Sequence, residues 1–248
     1  MSKDFRETAL QARITGDDFG SFVTAAADRC REDTSERKQD RSKRREQEIL
    51  RAAIRVFARD GISRARIGDV AAEAGMPVSS IYEYYQSKED LAYAVPASHL
   101  GRFFSEYAEA AVGKKTAWER LRLYLWLAAD FARRNPEWAR MLYLEIWPSV
   151  MIGQTPVRKA LDDYVRVIVY LLRQGAAGGE WQAERNPYEM AAILTGSVNQ
   201  VIITWLLYRK PSNLMKAVDS MIERVMTLLP TNELRPGKRM KKAAGRKG

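Results

Sequence analysis

The sequence predicts an all-α fold, with a helix-turn-helix near the N-terminus and a longer helical body after it. Three observations carry this reading. Helix formers dominate, no stretch alternates polar and apolar residues over a strand's length, and glycines and prolines fall where successive amphipathic segments end. At 248 residues and 46% hydrophobic content the chain can bury a substantial core. A single cysteine, Cys30, cannot form an internal disulfide, and no Cys/His cluster has zinc-ligand spacing. The N-terminus mixes charges of both signs without an apolar h-region, and later apolar runs read as too short or too interrupted to span a bilayer. The expectation is a cytoplasmic protein with no membrane partner and no cofactor.

A net charge of +10 favours an anionic partner. The charge is concentrated in two places, Arg41 to Arg66 and the C-terminal tail from Arg235 to Lys247. Either run read alone is equally a solvated surface. The first, however, leads directly into a recognisable motif.

The elements follow in order. Residues 1–42 read as an extension with one short amphipathic helix, capped by Asp17 or Asp18, that places Phe19, Phe22, Val23, Ala26, Ala27 and Cys30 on one face. That helix either docks on the body or lies free. The head spans 43–95. Its first helix, about Lys43 to Asp60, turns Ile49, Leu50, Ala53, Ile54, Val56 and Phe57 inward and arginines outward, and Gly61 stops it. A second helix is expected over Arg66 to Ala74 with Gly75 ending it, and a third over Ser79 to Tyr85. Ser87, followed by Glu89 and Asp90, reads as the cap and acidic first turn of a fourth helix. Pro96 lies early in that helix and predicts a kink or break, either a hinge or a plain bend. Further helices are expected near 97–112, 116–134, 136–147, 156–175, 187–209 and 213–229, within a ligand-binding and dimerisation domain over 96–230. A basic tail covers 231–248.

The segment 66–85 carries the function. Two short helices joined by a glycine-containing turn form a helix-turn-helix, whose second helix enters the major groove of double-stranded DNA. Ile67, Val70, Ala71, Ile81 and Tyr85 can meet in a small core. Val78, Ser79, Ser80, Tyr82, Glu83 and Tyr84 are left for the outer face.

The stretch from Arg44 to Leu91, with its "I..VA..AG" second helix and "S.IY.YY.SKEDL" junction, resembles the TetR/AcrR family of bacterial regulators. A weaker echo lies in Gly175 to Trp181 and Ala191 to Gly196. The resemblance implies phosphate contacts from Ser80, Tyr82 and Lys88, and base-edge contacts from Val78 and Ser79. Tyr84 could serve in either way. The family's usual Thr cap and DNA-contacting Arg in the second helix correspond here to Ala65 and Gly68. Arg66 can replace part of that contact, and the run through Arg44 and Arg45 can enter a minor groove or lie along phosphates.

The resemblance further implies a repressor that meets an inverted-repeat operator as a homodimer, held through its last two helices. The apolar surface of the helix from Pro187, with Gly196 among its small residues, points the same way. A small, largely apolar effector is expected among Trp126, Phe131, Met141, Glu145 and Trp147, although such an aromatic stripe equally builds plain core. Glu145, inside an apolar run, either orients a polar ligand group or faces solvent. His99, the one histidine, has no catalytic partner in the sequence. No nucleophile-base-acid set or phosphate-cradling loop supports an enzyme. An interaction or architectural protein anchored on DNA is the alternative.

Overall fold

The computed structural model describes residues 18–29, 39–148 and 156–229. Among them every regular element is helical. Cys30, Asp17 and the tail 231–248 lie outside the described residues, as do the side chains of Asp18, Phe19, Phe22 and Arg41. The chain divides into two compact units, one of residues up to Val112 with Glu145–Leu161, the other of Gly113–Leu144 and the chain from Asp162 onward. The expected boundary at residue 95 falls inside a helix.

In the first unit, α1 (Asp18–Arg29) docks on α5 (Lys88–Ala110), burying Val23, Ala26 and Ala27. Helix α2 (Gln39–Asp60) starts four residues before the expected Lys43. Its first turns are almost wholly polar, so hydrophobic periodicity gives no sign of where it begins. Ile49, Ala53, Val56 and Phe57 are fully buried, and α2 packs on α3 (Ile67–Ala74) and α5. Gly61, at φ +78°, ends α2 in the left-handed region that glycine adopts without strain. Arg66 is the N-cap of α3, its N–H bonded to the Asp69 carboxylate at 3.0 Å, and Gly75 closes the helix at φ +65°.

The next helix, α4, covers only Val78–Tyr82. The expected helix Ser79 to Tyr85 is therefore shorter and starts one residue earlier: the chain turns at Glu83 and Tyr84, and Tyr85 is buried beyond the helix end. Ser87 caps α5, its Oγ accepting the Asp90 N–H at 3.0 Å. Pro96 does not break α5, which runs unbroken to Ala110. Val95, Pro96, Ala97 and Leu100 are all buried, and packing over that stretch offsets the backbone hydrogen bond that proline removes.

In the second unit, α6 (Ala117–Arg134) opens on a reciprocal cap in which Thr116 Oγ1 accepts the Glu119 N–H at 3.1 Å and Glu119 accepts that of Thr116 at 3.1 Å. The expected helix 136–147 is α7 (Pro136–Arg140) followed by a π-helical turn, Met141–Ile146. Then come α8 (Pro156–Ala177), α9 (Pro187–Tyr208) and α10 (Leu214–Met226), with α6, α9 and α10 packed mutually. Arg122 of α6 ties α10 through Asp219 and Glu223, each at 3.0 Å. The loop after α8 folds back on itself. Glu180 accepts the N–H groups of Ala117 (2.7 Å) and Trp118 (2.9 Å) at the start of α6, while Trp181 is buried with its indole N–H on the Leu172 carbonyl at 2.9 Å.

Helix α9 corrects one expectation, since by length and composition it is apolar enough to cross a membrane. The packing is that of a helix shared between two faces. Met190, Ala191, Leu194, Val198, Ile202 and Leu206 are buried in the unit, whereas Ala192, Ile193, Gly196 and Gln200 are exposed.

Candidate functional site

Helix α4 is pinned from below and open above. Ile81 is completely buried, whereas Val78 is 43% and Tyr82 54% exposed, large values for apolar and aromatic side chains. Ser79 is exposed beside them and Ser80 half-buried. A protruding valine, two hydroxyls and a tyrosine can meet a groove floor and its phosphate walls. Arg66 is exposed at the start of α3. At Gly68 a Cβ would meet nothing within 4 Å, so packing does not require the loss of the family's arginine there.

The two tyrosines after α4 turn back to α2. Tyr84 Oη accepts a hydrogen bond from Ser42 Oγ at 3.2 Å, and Tyr85 Oη donates to Glu46 Oε1 at 3.2 Å. Burial, reinforced by the neighbouring Glu46 carboxylate, pushes the Tyr85 phenol far above its ordinary range and keeps it a donor. Tyr84 is therefore a half-buried strut as well as a candidate contact.

Lys88, at the first position of α5, is half-buried, and its Nζ donates to the Ser63 carbonyl at 3.1 Å. Next to that carbonyl, the Ile62 N–H donates to Glu145 Oε2 at 2.9 Å. The loop between α2 and α3 is thus gripped by an ammonium and a carboxylate on consecutive residues. Glu145, expected to orient a polar ligand group or to face solvent, is exposed, and its carboxylate also holds the loop. Trp147 is also at the surface, 38% exposed, and not in a buried cluster.

The remaining expected ligand residues lie in the second unit. Phe131 and Met141 are fully buried and Trp126 is half-buried. Phe131 meets Trp138 edge-on at 5.1 Å between centroids, and Trp138 meets Tyr143 at 6.4 Å. Tyr164 adds to the buried aromatic set, its ring tilted against that of Tyr124 at 5.1 Å, and the Tyr124 hydroxyl donates to the Tyr164 carbonyl at 3.0 Å. Sequence reasoning missed Tyr164, although its place in the stripe Val157, Leu161, Tyr164, Ile168 marks an inward face. Among the described residues no group of three His, Cys, Asp or Glu side chains is arranged to hold a metal ion.

A protruding short helix on a helix-turn-helix head, joined to an all-helical body, defines a DNA-binding transcription regulator. Comparison with known proteins makes this specific. Residues 49–95 match the model for bacterial regulatory proteins of the tetR family, and residues 97–228 match that for the YsiA-like protein C-terminal region. The chain belongs to the TetR family. It is 23% identical over 180 residues to the fatty acid metabolism regulator protein of Bacillus subtilis (strain 168), covering 73% of this chain and 93% of that one. It is 22% identical over 175 residues to the transcriptional repressor KstR of Mycobacterium tuberculosis, covering 71% and 75% of the two chains. The fold is that of the crystal structure of FadR from Bacillus subtilis in complex with stearoyl-CoA, with a TM-score of 0.68 at 22% identity over 72% of this chain and 96% of that one.

Proposed function

We propose that this regulator is a ligand-responsive repressor that binds an inverted-repeat operator as a homodimer and is released by an apolar effector. The observation that carries the reading is the outward presentation of Val78, Ser79 and Tyr82 above a buried Ile81. Val78 and Ser79 read base edges. Ser80, Tyr82 and Lys88 hold phosphates, with Arg66 beside them, and Lys88 exchanges the Ser63 carbonyl for a phosphate oxygen on binding. The head of 43–95 serves this role and the body of 96–230 the effector and dimer roles. The exposed strip of α9, Ala192, Ile193 and Gly196, is the seam on which a second copy packs.

The effector enters among Trp126, Phe131 and Met141, and the relatives make a long-chain acyl thioester the first compound to test. It acts through preference for the DNA-incompetent state, because equal affinity for both states shifts nothing. The test begins with selection of genomic fragments by the full-length protein, followed by fluorescence anisotropy on the recovered duplex with stearoyl-CoA or free coenzyme A. Expected are a few promoter sites with two-fold symmetry, release by the acylated compound alone, and a Lys88→Ala variant with weaker binding and a salt slope lower by about one unit. Uniform recovery of fragments without promoter enrichment would instead identify an architectural protein.

A further inference from the structure

We propose that the first two turns of α2, residues 39–46, form a second phosphate-binding surface beside the recognition helix, with Lys43, Arg44 and Arg45 as its cations. The proposal rests on the reading of the chain as a DNA-binding regulator and enlarges the surface that reading assigns. The family match begins at Ile49, whereas α2 begins at Gln39, so ten residues of helix precede the matched head. They are fastened to it. On α2, one turn apart, Ser42 donates a hydrogen bond to Tyr84 and Glu46 accepts one from Tyr85, two residues just past the end of α4. These turns therefore run alongside the end of the helix that meets the groove.

The charges on them are available. Lys43, Arg44 and Arg45 are exposed, and no ion pair involves them among the described residues. Further along the same helix, Arg55 is bound to Glu73 at 2.6 Å and Arg59 to Asp60 at 2.8 Å. The positive end of the α2 dipole lies at the same end as the unpaired cations and adds to their field. The secondary structure also decides between two modes of binding. A helix with its side chains is about 10–12 Å across, and the minor groove of B-DNA is about 6 Å wide. The helical segment cannot enter that groove as an extended arm does. It lies on the sugar-phosphate backbone flanking each half-site.

The experiment is anisotropy of the full-length protein with its selected operator duplex across a range of salt concentrations. Lys43, Arg44 and Arg45 are replaced together by alanine, the best helix former, so the helix is retained. Each lost phosphate contact removes about 0.9 from the slope of log affinity against log salt. The expected triple-variant slope is about two to three units lower. Its ranking of base-substituted operators, and its protection of minor-groove adenine N3 from methylation, should match those of the wild type. An unchanged slope overturns the proposal, as does loss of minor-groove protection. Lys88→Ala is measured in parallel: if it weakens binding while the triple variant does not, only this proposal fails. If the wild type shows no salt-dependent duplex binding, the regulator reading and this proposal fail together.

Discussion

Gly175, inside α8, is the position at which one added methyl group has the largest calculable effect. A Cβ there would lie 2.5 Å from Cε2 of Trp181 and closer still to Cζ2 and Cη2, in hard collision with the six-membered ring of the indole. Carbon atoms pack at about 3.5–4.0 Å, so the ring must retreat by more than about 1 Å. Trp181 is 3% exposed and its indole N–H is fixed on the Leu172 carbonyl, which leaves no easy retreat. Overpacking of about 1–3 kcal/mol and loss of a buried hydrogen bond worth about 1 kcal/mol together give Gly175→Ala a cost of about 2–4 kcal/mol. Urea unfolding followed by circular dichroism at fixed protein concentration measures it. In a Trp181→Leu background the obstructing ring atoms are gone. There alanine should stabilise by about 0.5–1 kcal/mol through its helix preference over glycine. A cost below about 1 kcal/mol in the wild type, or the same cost in both backgrounds, would refute the reasoning. The effect should reach function as well. Glu180, adjacent to Trp181, caps the helix that carries Trp126 and Phe131, so effector affinity should fall with stability.

Three further outcomes are expected. A Cβ at Gly196 meets nothing within 4 Å in its own chain, so Gly196→Leu should leave the subunit's unfolding midpoint at low concentration unchanged while sedimentation shows a monomer; a retained dimer would remove this face from the interface. Glu145→Ala removes the acceptor of the Ile62 N–H, and amide exchange at Ile62 should accelerate about five- to tenfold, the equivalent of roughly 1 kcal/mol, whereas unchanged exchange would make the contact incidental. Burial lowers the His99 imidazole to about 4, against the Val95 carbonyl that favours its charged form and with help from Arg102. The unfolded chain therefore takes up a proton near pH 6.5 that the folded chain refuses until about pH 4, so stability contributed by His99 is present above 6.5 and is lost as pH falls through this window. The difference between wild-type and His99→Gln stability curves should slope downward with falling pH there, and an imidazole that titrates near 6.5 by NMR would contradict it.

The helices whose ends were legible in the sequence are those ended by local chemistry. Gly61 and Gly75 stop α2 and α3 because each occupies a positive-φ position, and Ser87 starts α5 through a bond to its own third residue. Such signals lie within one turn. Where the deciding interaction is not local, the reading drifted. The polar start of α2 gives no periodicity, and it is held in place by tyrosines 39 and 42 residues away. The π-helical turn at Met141–Ile146 keeps an apolar pattern indistinguishable from an α-helix. At Pro96 a break is expected from the backbone, yet α5 continues through it, in a stretch where Val95, Pro96, Ala97 and Leu100 are buried.

The same division governs the candidate site. The inward Ile81 and the outward Ser79 and Tyr82 of α4 were legible in the sequence, whereas the partners of Lys88 and Glu145 were not, being separated from them by 25 and 83 residues. Those partners change what the residues mean. Lys88, which the resemblance alone marks as a phosphate contact, is bound in the structure to the carbonyl of Ser63 and so ties the start of α5 to the α2–α3 loop. A second tie comes from Glu145, which lies in the π-helical turn Met141–Ile146 and accepts the Ile62 N–H. The loop therefore carries, on two consecutive residues, the partners of side chains far from it in the sequence, a relation that neither residue's own sequence neighbourhood contains.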